Sequence, residues 1–249
     1  MIKQWRLDTN NQSLVLSSSG NRLPCVIYWG KSLPSHESPD EMIEASKKDW
    51  GDNLIDLVPE LSILPEQSAN FSGQLGSKMR DINGQLLSSS FVFHSDKVSS
   101  NSLTLIYKDK ELGLTYTAKI DSMEEHDVFA LEAKIESKNP IIMEWLSAPV
   151  IEASQNSNEI VDYGGHWGGE FRRQTTPWVT GAHLRESRVG TTSHAHFPGL
   201  LIPASGSSEN SGSCYGFHYG WSGGHRMVAE QLQDGRKQIQ FGHTENSEL

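Results

Sequence analysis

Cysteines, basic runs and long apolar stretches are all scarce in this 249-residue sequence. The two cysteines, Cys25 and Cys214, are too few and too far apart for the disulfide framework that staples small secreted domains. Lysine and arginine number 21 against 31 acidic residues, a net charge of −10, and they never cluster. Nucleic-acid phosphates need clustered cations, so no nucleic-acid partner is expected; the acidity reads as solubility. No run approaches the roughly 18 apolar residues of a membrane helix. The opening MIKQWRLDTNNQ lacks the apolar segment of a secretory signal. A soluble protein of a reducing, cytoplasmic compartment is the expectation, with no membrane partner. Also missing are a strand–GxGxxG–helix phosphate cradle, a GxSxG nucleophile elbow and an H-E-x-x-H helix. No cofactor and no metal are therefore expected.

What the sequence does have is alternation. In LGLTYTAKID, residues 112–121, Leu114, Tyr116, Ala118 and Ile120 share one face against Thr115, Thr117, Lys119 and Asp121. In VFALEAKIES, residues 128–137, Phe129, Leu131, Ala133 and Ile135 do the same against Glu132, Lys134 and Glu136. A period of two is a strand with one packed face, because helical apolar residues recur at three and four. SSSFVFHS, SLTLIYKD and IIMEWLSAPV continue the series as an antiparallel meander. SLVLSS and PCVIYWG precede it, while CYGFHYGW, RMVAEQL and KQIQFGH close the chain, the last two joined by the hairpin signal Asp234-Gly235. Helix is expected only at Pro39–Lys48, with Ser38 as cap and Pro39, Asp40 and Glu41 in the first turn. Residues 60–76, cut by Pro65, read as an extended surface loop, and ASGSSENSGS after Pro203 as a mobile polar loop. The chain shows no fixed repeat and no internal linker. One all-β domain follows, a large antiparallel sandwich in which two layers bury each other's apolar faces.

Chemistry-bearing residues concentrate between Asp162 and Pro203, which hold two Trp, four His and four Arg. His194 and His196 form an H-x-H pair on one strand face, which binds zinc only if further ligands converge. A hydrogen-bonded polar sheet face is the favoured reading. Glu170, with Glu186 or Asp162 as partner, suits the carboxyl pair of a glycosidase. However, Arg172, Arg173, Arg185 and Arg188 flank these acids, and Arg–carboxylate pairing lowers a carboxyl pKa, the opposite of what a general acid needs. Trp167, Trp178, Tyr215, Phe217, Tyr219 and Trp221 offer aromatic planes to sugar rings, although the alternating Tyr215, Phe217 and Tyr219 read first as sandwich core.

Three stretches resemble the family 36 glycoside hydrolases, the retaining α-galactosidases. ESRVGTTSHAHFPGLLI at 186–202 is similar to that family's ESRxGxTSHxxxP segment. GGHWGGEFRR at 164–173 and YGFHYGWSGGH at 215–225 are similar to its Gly-x-Trp-x-x-Glu-Arg and YGFxxxxSGN stretches. YWGKSL at 28–33 and the Pro-Glu run near 59–66 also fall in order. The resemblance implies an N-terminal β-supersandwich related in fold to galactose mutarotase, occupying 1–249, with a catalytic (β/α)8 barrel absent from this chain. It implies hydrolysis of terminal α-galactosyl residues by two barrel aspartates, and no catalytic residue here. The partners it implies are that barrel, a neighbouring subunit of a homo-oligomer and an α-galactoside. It further implies an acidic sugar-pocket residue in the loop from Ser32 to Asn53, for which Asp40, Asp49 and Asp52 are candidates. Trp167 and Trp178 complete the candidate substrate-binding set. GEFRR departs from the family at the position where an Arg is usual. Two other readings stand beside this one: a mutarotase-like isomerase using a His and a Glu, and a carbohydrate-binding module using Trp167 and Trp178.

Overall fold

A computed structural model describes residues 2–46, 59–188, 195–221 and 223–244. Among them are eighteen strands, one α-helix and two single-turn 3-10 segments, so the all-β expectation holds. Contacts divide the chain into two compact units, one of Met1–Phe71 with Met79–Ile142, the other of Ser72–Lys78 with Met143–Leu249.

The first unit opens with β1 (Ile2–Asp8), β2 (Gln12–Ser19) and β3 (Cys25–Lys31), a three-stranded antiparallel sheet with β2 central. β2 is buried on both faces, which its Leu14-Val15-Leu16 run permits. Helix α1 (Pro39–Ser46) follows, and Ser38 Oγ accepts a hydrogen bond from Asp40 N at 3.3 Å as the cap residue. The last two residues of the expected helix lie outside the described residues. β4 (Ser77–Asp81), whose first two residues belong to the second unit, and β5 (Leu86–Leu87) form a small hairpin. The unit's second sheet is the expected meander, β6 (Val92–Val98), β7 (Ser102–Asp109), β8 (Leu114–Met123) and β9 (Val128–Ser137), in that order.

β7 alternates half-buried and buried along its whole length, and β8 alternates from Leu114 to Ser122 before the exposed Met123. Leu103, Leu105, Tyr107, Tyr116, Ala118 and Ile120 are inaccessible and share the core with Leu7, Leu14 and Leu16. Trp5 donates Nε1–H to Asp96 Oδ2 at 2.7 Å and tilts against Phe93, joining the two sheets. The loop at 60–76 differs from its expected surface course: Leu61, Ile63, Leu64 and Phe71 are buried. Apolar side chains on both sides of Pro65 draw it inward, and Ile63 N bonds Pro24 O at 2.8 Å.

The second unit carries β10 (Ile141–Leu146), which begins in the first, and then β11 (Ile151–Glu152), β12 (Glu159–His166), β13 (Gly169–Pro177), β14 (Gly181–Ser187), β15 (His196–Pro203), β16 (Cys214–His218), β17 (His225–Gln231) and β18 (Lys237–His243). Two four-stranded sheets result, β11-β18-β17-β14 and β13-β12-β15-β16. Ala153, Ile160, Leu200, Ile202, Met227, Ala229, Ile239 and Phe241 form the core cluster, and Trp178, Tyr215, Phe217 and Tyr219 pack against it. The alternating aromatic trio is thus core. Gly235, at φ +84°, makes the β17–β18 turn, with Arg236 N bonded to Asp234 Oδ1 at 2.9 Å. The serine-rich loop after Pro203 is hydrogen-bonded, Ser208 bridging Ser211.

β18 is buried on both faces yet carries Gln238 and Gln240. Their amides are fully engaged: Trp145 Nε1–H donates to Gln240 Oε1 at 3.1 Å, and Gln240 Nε2 reaches Gln238 Oε1 and Gln74 O. Buried amides are tolerated because each finds a partner.

Candidate functional site

The stretch richest in imidazole and guanidinium groups forms β12 to β15, and its alternation sorts those groups onto two faces. Asp162 on β12 points between the sheets with its side chain 3% exposed. His183 and Arg185, both on β14, reach it from the facing sheet: His183 Nε2 at 2.8 Å and Arg185 Nε at 3.2 Å from Asp162 Oδ2. Arg185 also donates to Gln174 Oε1 on β13 at 2.9 Å. Glu186, the next acid, is clasped by Arg188 and by Arg226 Nε at 2.9 Å.

Burial alone would raise both carboxyls. The hydrogen bonds from His183 and Arg185, with their charge, hold Asp162 below the usual aspartate value. Arg188 and Arg226 do the same for Glu186. Both acids are ionised at neutral pH, as the flanking arginines implied. Glu170 is exposed on the β13 edge and accepts Gly168 N–H at 2.9 Å. Burial lowers the pKa of His196 and of His225, keeping both neutral. His194 lies outside the described residues, and among those residues no three His, Cys, Asp or Glu side chains converge as a metal site. The arrangement holds two sheets together by charge-assisted bonds; it offers no protonated acid opposite an ionised one.

On the other face of the β13-β12-β15-β16 sheet, aromatic rings form a row. Phe171, Tyr163, Phe197 and His218 come from four adjacent strands, with successive contacts of 6.1 Å (Tyr163–Phe171), 5.1 Å (Phe171–Phe197) and 5.3 Å (Phe197–His218). Phe171 is 66% exposed. Trp167, 82% exposed, crowns the β12–β13 turn beside it. The glycines of GGHWGG make that turn possible: a Cβ on Gly165 would lie 2.2 Å from Gly169 O, and Gly168 adopts φ +75°.

The other candidates fall elsewhere. Trp178 stands at the far end of β13, about 30 Å of strand from Trp167. It is half-buried against the core, and Lys237 Nζ lies 5.3 Å from its ring. The two tryptophans therefore do not form one platform. In the first unit, Asp40 Oδ1 accepts Gln4 Nε2–H at 2.7 Å, at the start of α1. Asp49 and Asp52 lie outside the described residues.

One group went unsuspected in the sequence. Glu66, after Pro65 in the buried loop of the first unit, accepts Ser89 Oγ–H at 2.9 Å and Phe91 N–H at 3.1 Å. Burial pushes its pKa up to about 7, the hydrogen bonds opposing and the Asp109 charge adding to the rise. Asp109 itself is spent on the backbone N–H groups of Ser90, Glu111 and Leu112. The Pro-Glu pair was visible, but nothing in its spacing says that the carboxyl is buried.

Comparison with known proteins supplies the rest. The model of the glycosyl hydrolase family 36 N-terminal domain matches residues 22–248. An α-galactosidase of Escherichia coli is 29% identical over 244 residues, which cover 96% of this chain and 33% of the relative. α-Galactosidase AgaA of Geobacillus stearothermophilus is 27% identical over 275 residues, covering 96% and 36%. A crystal structure of an AgaA variant with a single Ala-to-Glu substitution, in complex with 1-deoxygalactonojirimycin, shares the fold at a TM-score of 0.84 and 19% identity, over 97% of this chain and 37% of that one. The chain spans about a third of the length of the curated relatives it matches. With the model matching nearly its whole length, the chain belongs to the glycosyl hydrolase family 36 N-terminal domain family.

Proposed function

We propose that this chain is the non-catalytic N-terminal domain of an α-galactosidase whose chemistry is carried by a (β/α)8 barrel elsewhere in the same protein. The whole 1–249 stretch acts as one sandwich domain that scaffolds that barrel in a cytoplasmic enzyme hydrolysing terminal α-galactosyl residues by a retaining mechanism. The observation that carries this reading is the state of the acids in the second unit. Asp162 and Glu186 are each held ionised by cations, where a retaining glycosidase needs one protonated and one ionised carboxyl about 5 Å apart. That the α-galactosidases matched are about three times as long supports a catalytic region outside this one.

The aromatic row of Phe171, Tyr163, Phe197 and His218, with Trp167 above it, is the surface we assign to the barrel contact. Exposed aromatic area of this kind is otherwise unfavourable in water. The loop carrying Asp40, Asp49 and Asp52 is the segment we assign to a neighbouring subunit's sugar pocket. A carbohydrate-binding module is the second reading, favoured by the 82% exposure of Trp167. The isomerase reading has less support, since Asp162 and Glu186, the acids nearest the histidine-rich strands, are each held ionised by cations.

Reading the gene beyond codon 249 separates these. Our proposal expects the open frame to continue into a (β/α)8 sequence. A stop codon at 250 overturns it and leaves the binding module and the isomerase.

A further inference from the structure

We infer that β9 is a pairing edge, and that two copies of this chain join through it in an antiparallel β9–β9 ladder about a twofold axis.

Among the described residues β9 pairs with β8 alone, so the row of N–H and C=O groups on its other side has no strand partner. The strand is ten residues long, pairs with β8 without a register shift, and contains neither Pro nor Gly. The opposite edge of the same sheet, β6, is interrupted by a bulge between Phe93 and Ser95, a usual guard against edge pairing. β9 has no such bulge, and the charges on its exposed face, Glu132, Lys134 and Glu136, alternate in sign rather than repel as one. Its core-side residues also stay incompletely covered. Tyr116, Ala118 and Ile120 on β8 are inaccessible, whereas their partners Ile135, Ala133 and Leu131 on β9 are only half-buried. A further strand on that side would finish burying them.

The sequence of β9 says which strand fits. In an antiparallel self-pairing, residues i and j oppose one another, and apolar residues meet apolar ones only if i and j have the same parity. Centring the axis on Ala133 places Leu131 opposite the second copy's Ile135. It also places Glu132 opposite the second copy's Lys134, each twice by symmetry, and keeps nine residues, 129–137, in the ladder. Centring on Glu132 instead opposes Glu132 to itself. Centring on Lys134 opposes Lys134 to itself and Glu132 to Glu136. Like charges directly opposite are destabilising, and opposite charges stabilising. Centring on Ile135 opposes Lys134 to Glu136 but leaves only 133–137 of the strand paired. The Ala133 register alone combines full length, apolar matching and charge matching. The row of charges then extends across the junction, because Lys119 on β8 already stands beside Glu132 in the same chain. Lys134 now bonds Glu136 of its own strand at 2.8 Å on the exposed face, where it remains available to the second copy's Glu132.

This inference is independent of the α-galactosidase reading. Sedimentation of the 249-residue chain across the micromolar range tests it, together with three variants whose fold is checked by circular dichroism. The wild type is expected to show a monomer–dimer equilibrium. Lys134→Glu should raise its dissociation constant at least about tenfold, since two matched pairs become two repelling ones. The swap Glu132→Lys with Lys134→Glu should restore it, which neither a structural role for Lys134 nor the Ile135 register would do. Ala133→Cys, which sets two thiols face to face on the axis, should give a disulfide dimer under mild oxidation. Because that variant reads the register by covalent capture, it remains informative if Lys134→Glu folds poorly. A chain that stays monomeric throughout, a Lys134→Glu variant that dimerises unchanged, or a charge swap that fails to restore pairing would each overturn the proposal.

Discussion

Replacing Glu66 by Gln should change how the stability of this protein depends on pH, in a direction opposite to that of the cation-paired acids Asp162 and Glu186. The carboxyl is desolvated, hydrogen-bonded to Ser89 and Phe91 and near the Asp109 charge, with a pKa moved from 4.5 to about 7. The folded chain therefore holds this proton more tightly than the unfolded chain. Its stabilising effect is complete below pH 4.5 and declines as pH rises through about 7. A displacement of about 2.5 pKa units corresponds to about 3 kcal/mol lost across that window. Gln is neutral at every pH and keeps an amide oxygen to accept from Phe91 N–H. Urea denaturation of both proteins between pH 5 and 8.5 isolates the effect, because the acids with lowered pKa titrate below that range in both. The variant should gain on the wild type by about 2.5 kcal/mol from the acid to the alkaline end, since a little of the effect is already lost at pH 5. Carbon-13 titration of the Glu66 carboxyl should place its midpoint near 7. Parallel stability curves, or a midpoint at an ordinary glutamate value, would refute the reasoning.

Asp162→Asn removes the anion that His183 and Arg185 share in the second unit, and should cost about 3 kcal/mol by leaving Arg185 uncompensated. Because the Asp162 pKa is lowered, its contribution is present above the ordinary aspartate value and lost as pH falls through the depressed one. The variant should therefore lose part of the wild type's acid-limb decline in a pH series of denaturation curves. Gly165→Ala drives a Cβ to 2.2 Å from a backbone oxygen, and a loss of about 2 kcal/mol or more by thermal melting is expected. Trp167→Ala should alter stability by no more than about 0.5 kcal/mol, whereas Trp178→Ala, which empties a site against the core, should cost about 3 kcal/mol. The same melting curves check both.

Strand β8 was legible because one of its faces is wholly buried, so packing writes strict alternation into LTYTAKI; β7 shares that burial but carries the apolar run Leu105-Ile106-Tyr107, legible through β-branched and aromatic residues rather than through a period of two. β12 and β13 were not, because GGHWGGEFRRQTT pairs through backbone and charge and has no apolar period to read. β9 has the same alternation as β8 but not the same burial, since burial depends on whether a neighbour lies beyond the strand and not on the strand's own residues. In the candidate site the excess of arginine around the acids correctly implied ion pairs. Which partners meet did not follow, because Asp162 is joined to His183 and Arg185 across two sheets. The burial of Glu66 was likewise invisible. It depends on Leu61, Ile63 and Leu64 pulling a Pro-containing loop into the interior, and a loop's course is set by packing rather than by local preference.

Turnover of a nitrophenyl α-galactoside by the purified 249-residue chain tests the central claim most directly. With Asp162 and Glu186 held ionised, and catalysis assigned to a barrel outside this chain, the account predicts no release of nitrophenol above the uncatalysed rate. Steady turnover that disappears in Glu170→Gln or Glu66→Gln would contradict it and make the sandwich itself the enzyme.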